Sequence, residues 1–200
     1  MQPKKLAVKL LLRQNICSID TDLFRLDCRS HIIIDSVQHY AQSVHRDPRD
    51  FIGEGMAECV VFPWRGRHLI LYNDWILSSA RKRWSIAHEI GHICCGHATD
   101  GPLQEAQANI FASELLMPEV VLQEAFRMGL VCTAQDIASL FHVSLQAAQN
   151  QMILLECPKG FGELDIQLLQ KYIPILKEKV VEPVISIPYR NFQRGTATIL

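Results

Sequence analysis

The sequence carries almost no net charge: 20 lysines and arginines face 21 aspartates and glutamates over 200 residues, a formal charge of -1. Proteins whose main task is gripping phosphate backbones usually show a marked basic excess, so that class is disfavoured, local patches aside. No stretch reaches the roughly 18 uncharged apolar residues that a membrane span requires. Between Met1 and Leu12 an early basic pair is followed by an apolar stretch that Lys9 interrupts, with no small-residue cleavage site, so a signal peptide is not expected. The seven cysteines (17, 28, 59, 94, 95, 132, 157) contain no CxxC pair; this odd, scattered set reads as reduced thiols of a cytoplasmic protein, mostly small buried hydrophobes. Internal repeats and low-complexity segments are also lacking. What is there, 48% hydrophobic and 20% charged residues, supplies ample apolar surface for a sizeable core and excludes global disorder, and the length fits one ordinary domain or one catalytic domain plus a small appendage.

Periodicity divides the chain. Lys4 to Arg13 predicts a short amphipathic helix. Ile32-Ile33-Ile34 fits a strand, while Val37, Tyr40, Ala41 and Val44 recur at helical spacing. Two β-rich runs, Ala57–Phe62 and His68–Tyr72, are joined by Pro63-Trp64-Arg65-Gly66 and predict an antiparallel hairpin. The pattern then stays helical: a helix capped by Ser78 or Ser79 and running to Cys95 ahead of Gly96, one over Leu103–Met117, and one to Met128. Ala134–Phe141 and Leu145–Glu156, capped by Thr133 and Ser144, form a helix-turn-helix pattern. A last helix is expected over Glu163–Tyr172, before Pro174, Pro183 and Pro188. The expected organisation is α+β, with a catalytic domain over 1–128, a helix-turn-helix-like module over 129–157 and a tail over 158–200.

The chemistry concentrates in His88-Glu89-Ile90-Gly91-His92, an HExxH sequence inside a predicted helix. Residues four apart share a helical face, so both imidazoles can point at one metal ion. Glu89 is too close to the first histidine to share its role but can reach a water on the metal, the general-base position of a zinc hydrolase. Gly91 removes a side chain between the ligands and lets a neighbouring element approach. The competing reading is an amphipathic helix whose histidines merely make hydrogen bonds, and a chance HExxH arises in roughly one chain in a hundred of this length. A catalytic zinc needs a third protein ligand and one open position. Glu105 is the leading candidate; His97, at a spacing unlike that of three-histidine zinc proteases, and Asp100, beside turn residues, are the others. Asn109, four residues after Glu105, can hydrogen-bond the outer nitrogen of His88. Cys94 and Cys95 point mostly away and are expected to be packing residues. Tyr72, His97 and His142 are candidate donors to the tetrahedral oxyanion. Strand His68–Tyr72 is expected to be the edge against which an extended substrate pairs.

The string Arg83–His97, with its AHEIGH core, followed by Glu105-Ala-Gln-Ala-Asn-Ile-Phe-Ala-Ser-Glu-Leu-Leu-Met-Pro118, resembles the ImmA/IrrE metallopeptidase family, whose hallmarks are an AHELGH-type helix and an ExxANxFAxxLLMP helix. The resemblance covers about residues 55–156. It implies a zincin-like, thermolysin-type core in which a small antiparallel sheet packs on the HExxH helix. It further implies His88, His92 and Glu105 as ligands of zinc, with manganese or iron as alternatives, and Glu89 as base. The implied substrate is a protein, a helix-turn-helix repressor encoded nearby. The sequence departs from the pattern at Ile90, usually Leu, and at Gln107, where a second acidic residue is common.

Two other classes compete. A DNA-binding regulator would use the helix-turn-helix segment, yet Leu130 to Leu155 contains no Lys or Arg, and a recognition helix without cations lacks the phosphate contacts that supply most duplex affinity. Direct DNA binding is therefore not expected. A binding module with a non-catalytic metal site is the other; structural zinc is normally held by four protein ligands, usually including cysteines, whereas a His/His/Glu set leaves a position for water. Arg81-Lys82-Arg83 reads as a solvated basic face, or as a patch steering an acidic segment.

Overall fold

The computed structural model describes residues 2–28, 31–156 and 160–181. The expected tail falls partly outside them, as do Cys157, Pro183 and Pro188. Helix α1 (Pro3–Leu12) opens the chain, followed by strand β1 (Ile32–Ser36), short helices α2 (Val37–Ser43) and α3 (Arg49–Ile52), and strands β2 (Cys59–Trp64) and β3 (Arg67–Tyr72). Helices α4 (Ser79–Cys95), α5 (Pro102–Leu116), α6 (Glu119–Arg127), α7 (Ala134–Phe141), α8 (Leu145–Glu156) and α9 (Glu163–Val181) complete it. The architecture is mixed α and β.

The hairpin forms as its turn chemistry dictates. Arg65 and Gly66 both have positive φ, 49° and 74°, the two-residue turn whose twist matches that of paired strands. The sheet order, however, is β1-β3-β2, with β1 parallel to β3 and β2 antiparallel to it. The sheet is thus mixed rather than purely antiparallel, and His68–Tyr72 is its central strand, not an edge. The reason lies in consecutive apolar residues. Ile70 faces the main core with Ile86 and Ile90 of α4, while Leu69 and Leu71 face a smaller cluster with Val37 and Ile52. A strand buried on both faces belongs inside a sheet. The free edge beside α4 is that of β2.

Helix α4 is bounded as its sequence requires. Ser78 Oγ accepts the Arg81 N–H at 3.3 Å, and Gly96 at φ 72° closes the other end. The His97 N–H then returns to the His92 carbonyl at 3.1 Å, which folds His97 back over the last turn. Helix α5 starts at Pro102, where no N–H is needed, and packs on α4. A Cβ on Gly91 would lie 3.1 Å from the Ala108 carbonyl oxygen and 3.2 Å from both Ala108 Cα and Phe111 Cβ, so this glycine permits the helix approach.

The same core runs from Ala7 in α1 to Leu176 in α9 and takes in Ile137, Phe141 and Ala148 of α7 and α8. Helix α9 does not stop ahead of Pro174 but continues through it. Leu168, Tyr172 and Leu176, four apart, are all buried, and this packing offsets the one backbone hydrogen bond that proline removes.

Gly91→Ala is expected to cost about 1–3 kcal/mol through backbone displacement, measurable by urea denaturation. Burial pushes Glu114 up to about 8, from an ordinary 4.5. The native state then keeps a proton that the unfolded chain releases in that window, so this residue's contribution is present at the acid end and lost as pH rises from about 4.5 to 8. Glu114→Gln should remove that slope: its stability relative to wild type should improve between pH 4.5 and 8.5, as read by chemical denaturation at both.

Candidate metal centre

The closeness of α4 and α5 brings three donor groups together. His88 Nε2 and His92 Nε2 are 3.0 Å apart, Glu105 Oε2 lies 3.2 Å from the first, and Glu105 Oε1 lies 3.4 Å from the second. Donors arranged tetrahedrally about 2.0–2.1 Å from one ion are about 3.3–3.4 Å from each other. The triad is close to that spacing, its two imidazoles are mostly shielded, and Glu105 is about half exposed. Two histidines and one carboxylate, with ring lone pairs turned inward, suit a divalent cation, and the donor set fits such an ion with one position left over. Among the described residues no other group of three potential ligands meets in this way.

Side chains behind the triad fix its tautomers. Asn109 Oδ1 is 3.0 Å from His88 Nδ1. A carbonyl oxygen only accepts, so the proton sits on Nδ1 and the Nε2 lone pair faces the triad. On the other imidazole the arrangement has two steps. Gln107 Oε1 is 2.9 Å from His97 Nε2, and His97 Nδ1 is 3.2 Å from His92 Nδ1. With its proton donated to Gln107, neutral His97 offers Nδ1 as an acceptor, takes the His92 Nδ1 proton and leaves His92 Nε2 bare. Sequence reasoning found Asn109 but not this use of Gln107; the closing turn at Gly96 was the signal that His97 comes back over His92.

Glu89 lies where two clefts meet. One, of about 260 Å³, is lined on this side by Glu58, Trp84, Ser85 and Asn109; the other, of about 700 Å³, runs along β2 past His68 and His97. Cys59 and Glu89 line both. Burial, with repulsion from Glu105 and Asp100 added, pushes Glu89 up to about 7. Its carboxylate is therefore a stronger base than an exposed glutamate. Burial, with Glu89 nearby, raises the Cys59 thiol, which stays protonated. Glu58 is held in the wall by Arg81 and by Ser85 Oγ, which donates at 2.7 Å.

The other sequence candidates fall differently. Asp100 is 3.9 Å from His92 Nδ1, on the outer nitrogen, and its side chain is 89% exposed. His97 adjoins the triad, but both its nitrogens are engaged, so it positions His92 and is not free to donate to an oxyanion. Tyr72 ends β3 with its ring edge-on to Phe24 and lines neither cleft. His142 terminates α7, where its Nδ1 is 3.3 Å from Asp20, and also lines neither. Neither side chain is brought to the lining around Glu89. Cys94 packs against the core, and burial pushes its thiol up to about 12. Of the basic run, Arg81 pairs with Glu58, while Arg83 turns inward to donate to the Thr21 carbonyl at 3.0 Å.

Gln107→Met keeps the length of the side chain but removes the acceptor. Nitrogen-15 NMR of the histidine rings should show His97 and His92 losing their single tautomers, and zinc affinity measured against a chelator should fall about tenfold or more. Gln107→Glu retains an acceptor oxygen at that place and should keep most of the affinity.

No curated protein matches the chain significantly. The family model Peptidase_M78, described as the IrrE N-terminal-like domain, matches residues 28–152, which contain β1, the hairpin, the two helices of the metal triad, α7 and most of α8. The chain therefore belongs to this peptidase family.

Proposed function

We propose that this protein is a zinc-dependent endopeptidase, working in the cytoplasm, that hydrolyses one peptide bond in a helix-turn-helix repressor encoded nearby. The observation that carries the reading is the convergence of His88, His92 and Glu105 on one point beside a glutamate held near neutrality. In this reading His88, His92 and Glu105 hold the metal, Asn109 and the Gln107–His97 pair orient the imidazoles, and Glu89 is the base. A bound zinc, or manganese or iron in its place, supplies Lewis acidity, which makes a water acidic enough to deprotonate near pH 7 and polarises the scissile carbonyl.

Glu89 takes a proton from the attacking water as its oxygen bonds to the carbonyl carbon. The same carboxyl then delivers that proton to the amide nitrogen as the carbon–nitrogen bond breaks. Burial serves both halves: it raises the carboxyl above its ordinary range, which strengthens it as the base that takes the proton and lets the acid form deliver it. The edge of β2 that pairs with no strand among the described residues borders the larger cleft through Cys59 to Phe62, so an extended substrate can add as a strand there and lie across Glu89. In this reading the sheet takes the place it would have in a zincin-like core.

The division of labour proposed for the chain is catalysis by residues 1–128, with 129–157 as a helix-turn-helix-like module for protein contact and 158–200 as a tail. The module's lack of lysine and arginine supports protein rather than DNA as its partner. No helix among the described residues is long and apolar enough to cross a membrane.

Zinc-loaded wild type and Glu89→Gln, each incubated with the neighbouring gene's repressor, test the reading. Wild type should make a discrete cut, and the variant should retain zinc while its rate falls by about 10²–10⁴-fold. A variant that cuts normally sinks the mechanism, one that loses zinc makes Glu89 a ligand, and retention of duplex DNA by the wild type in a salt-dependent gel shift favours a regulator.

A further inference from the structure

The metal cleft does not end at Asn109. A second cavity, of about 600 Å³, begins beyond Trp84 and Asn109, the two side chains it shares with the cleft. Five helices wall it, with Lys4 from α1, Ile110 and Glu114 from α5, Glu119 from α6 and Gln151 from α8 joining Trp84 of α4. Two of its walls are apolar: the Trp84 indole and Ile110, which is 50% exposed.

The charged lining is unbalanced. The Glu114 and Glu119 side chains are only 4% and 7% exposed, and they share one cation. Lys4 Nζ sits 2.6 Å from Glu119 Oε2 but 3.9 Å from Glu114 Oε2, beyond hydrogen-bond reach. Glu119 also accepts from Gln123 at 3.3 Å. Glu114 Oε1 accepts one backbone N–H, from Glu119 at 3.3 Å, and its Oε2 accepts no hydrogen bond among the described residues. Two buried carboxylates therefore face one ammonium, and the more buried of them has the poorer partners. Taking an acid out of water without a full counter-charge is unfavourable, so burial raises Glu114, and a second cation beside it is what would let it ionise at neutral pH.

We propose that this cavity is a specificity pocket for a basic side chain, arginine or lysine, close to the scissile bond of the polypeptide held in the metal cleft. The assignment rests on the peptidase reading of that cleft. Both long basic side chains have an apolar stem that fits along Trp84 and Ile110 and a cationic head that pairs with Glu114 as its proton leaves to solvent. Arginine has a second advantage, since its planar guanidinium stacks on indole and offers a fork of donors to carboxylates. An acidic side chain would bring a negative group to two carboxyls that already share one cation and is excluded, and a neutral isostere of arginine fills the space without giving Glu114 a counter-charge. If the Lys4–Glu114–Glu119 cluster serves only to tie α1 to α5 and α6, the cavity has no reason to distinguish a cation from its isostere.

The test uses the full zinc-loaded chain and three probes: Nα-acetyl-arginine amide, its neutral isostere Nα-acetyl-citrulline amide, and Nα-acetyl-norleucine amide. NMR should show the arginine probe shifting the Trp84 indole and Ile110 methyl signals while Trp64 and Trp75 stay fixed, with citrulline binding about tenfold more weakly and norleucine more weakly still. Glu114→Gln should abolish the preference for arginine over citrulline. Equal binding of all three probes, shifts located elsewhere, or no shift with arginine at any soluble concentration overturns the pocket, whether or not the variant folds. A peptide library separates the two readings. Cleavage with no basic preference overturns the pocket and keeps the peptidase; arginine-selective shifts at Trp84 with no cleavage of any peptide keep the cation site and remove the peptidase.

Discussion

The contact of Gly91 with Ala108 is the constraint on which the site depends. At this crossing α4 presents one histidine before the glycine and one directly after it, and α5 comes close enough for short polar side chains to reach both. On a helix of 3.6 residues per turn, Glu105 and Asn109 flank Ala108 on one side and Gln107 on the other. One helix turn therefore supplies a carboxylate toward the shared point of the imidazoles, an amide behind His88 and an amide behind the His97 that backs His92. Moving the helices apart by a methyl group would loosen all three at once, which couples packing at a single glycine to the donor geometry.

Much of this was legible because it is local. Caps at Ser78 and Gly96, proline at the start of α5 and the four-residue spacing of the histidines all act within a few residues, and the helix limits follow from them. Asn109 was legible for the same reason, being one turn from Glu105. The readings that needed correction involve contacts distant in sequence. Nothing near His68–Tyr72 announces that β1, more than thirty residues earlier, pairs along its outer side, although its run of consecutive apolar residues is what two-sided burial looks like. Pro174 reads as a stop until the buried row of Leu168, Tyr172 and Leu176 is weighed against one missing hydrogen bond. Tyr72 and His142 have suitable chemistry, and only the topology shows that they sit away from the cleft.

The partners chosen for the imidazoles also affect the charge of the site. Carboxylates in those places would draw the ring protons toward themselves and make the histidines more basic. Amides orient the rings without adding negative charge, so the carboxylates about the imidazoles are Glu105 within the triad, Glu89 in the cleft and the exposed Asp100, with Glu58 neutralised by Arg81 at the rim. Repulsion from Glu105 helps to raise Glu89, and an extra acidic group behind either imidazole would reinforce that shift. Neutral Gln107 thus limits how far the base is pushed upward.

Helices α7 and α8 have the spacing of a DNA-reading pair but are tied into the same core as the metal helices. Gln151, in α8, is 4% exposed: its Oε1 accepts from Ser113 Oγ at 2.7 Å and its Nε2 donates to the Met117 carbonyl at 3.3 Å. Both ends of its amide thus hold α8 against the end of α5, at the wall of the cavity beyond Asn109. A helix fixed in this way, with no lysine or arginine between Leu130 and Leu155, has little to offer a phosphate backbone but shapes the space beside the triad. The resemblance to a DNA-reading unit is one of spacing, and α8 of that pair lines the cavity beside the metal cleft.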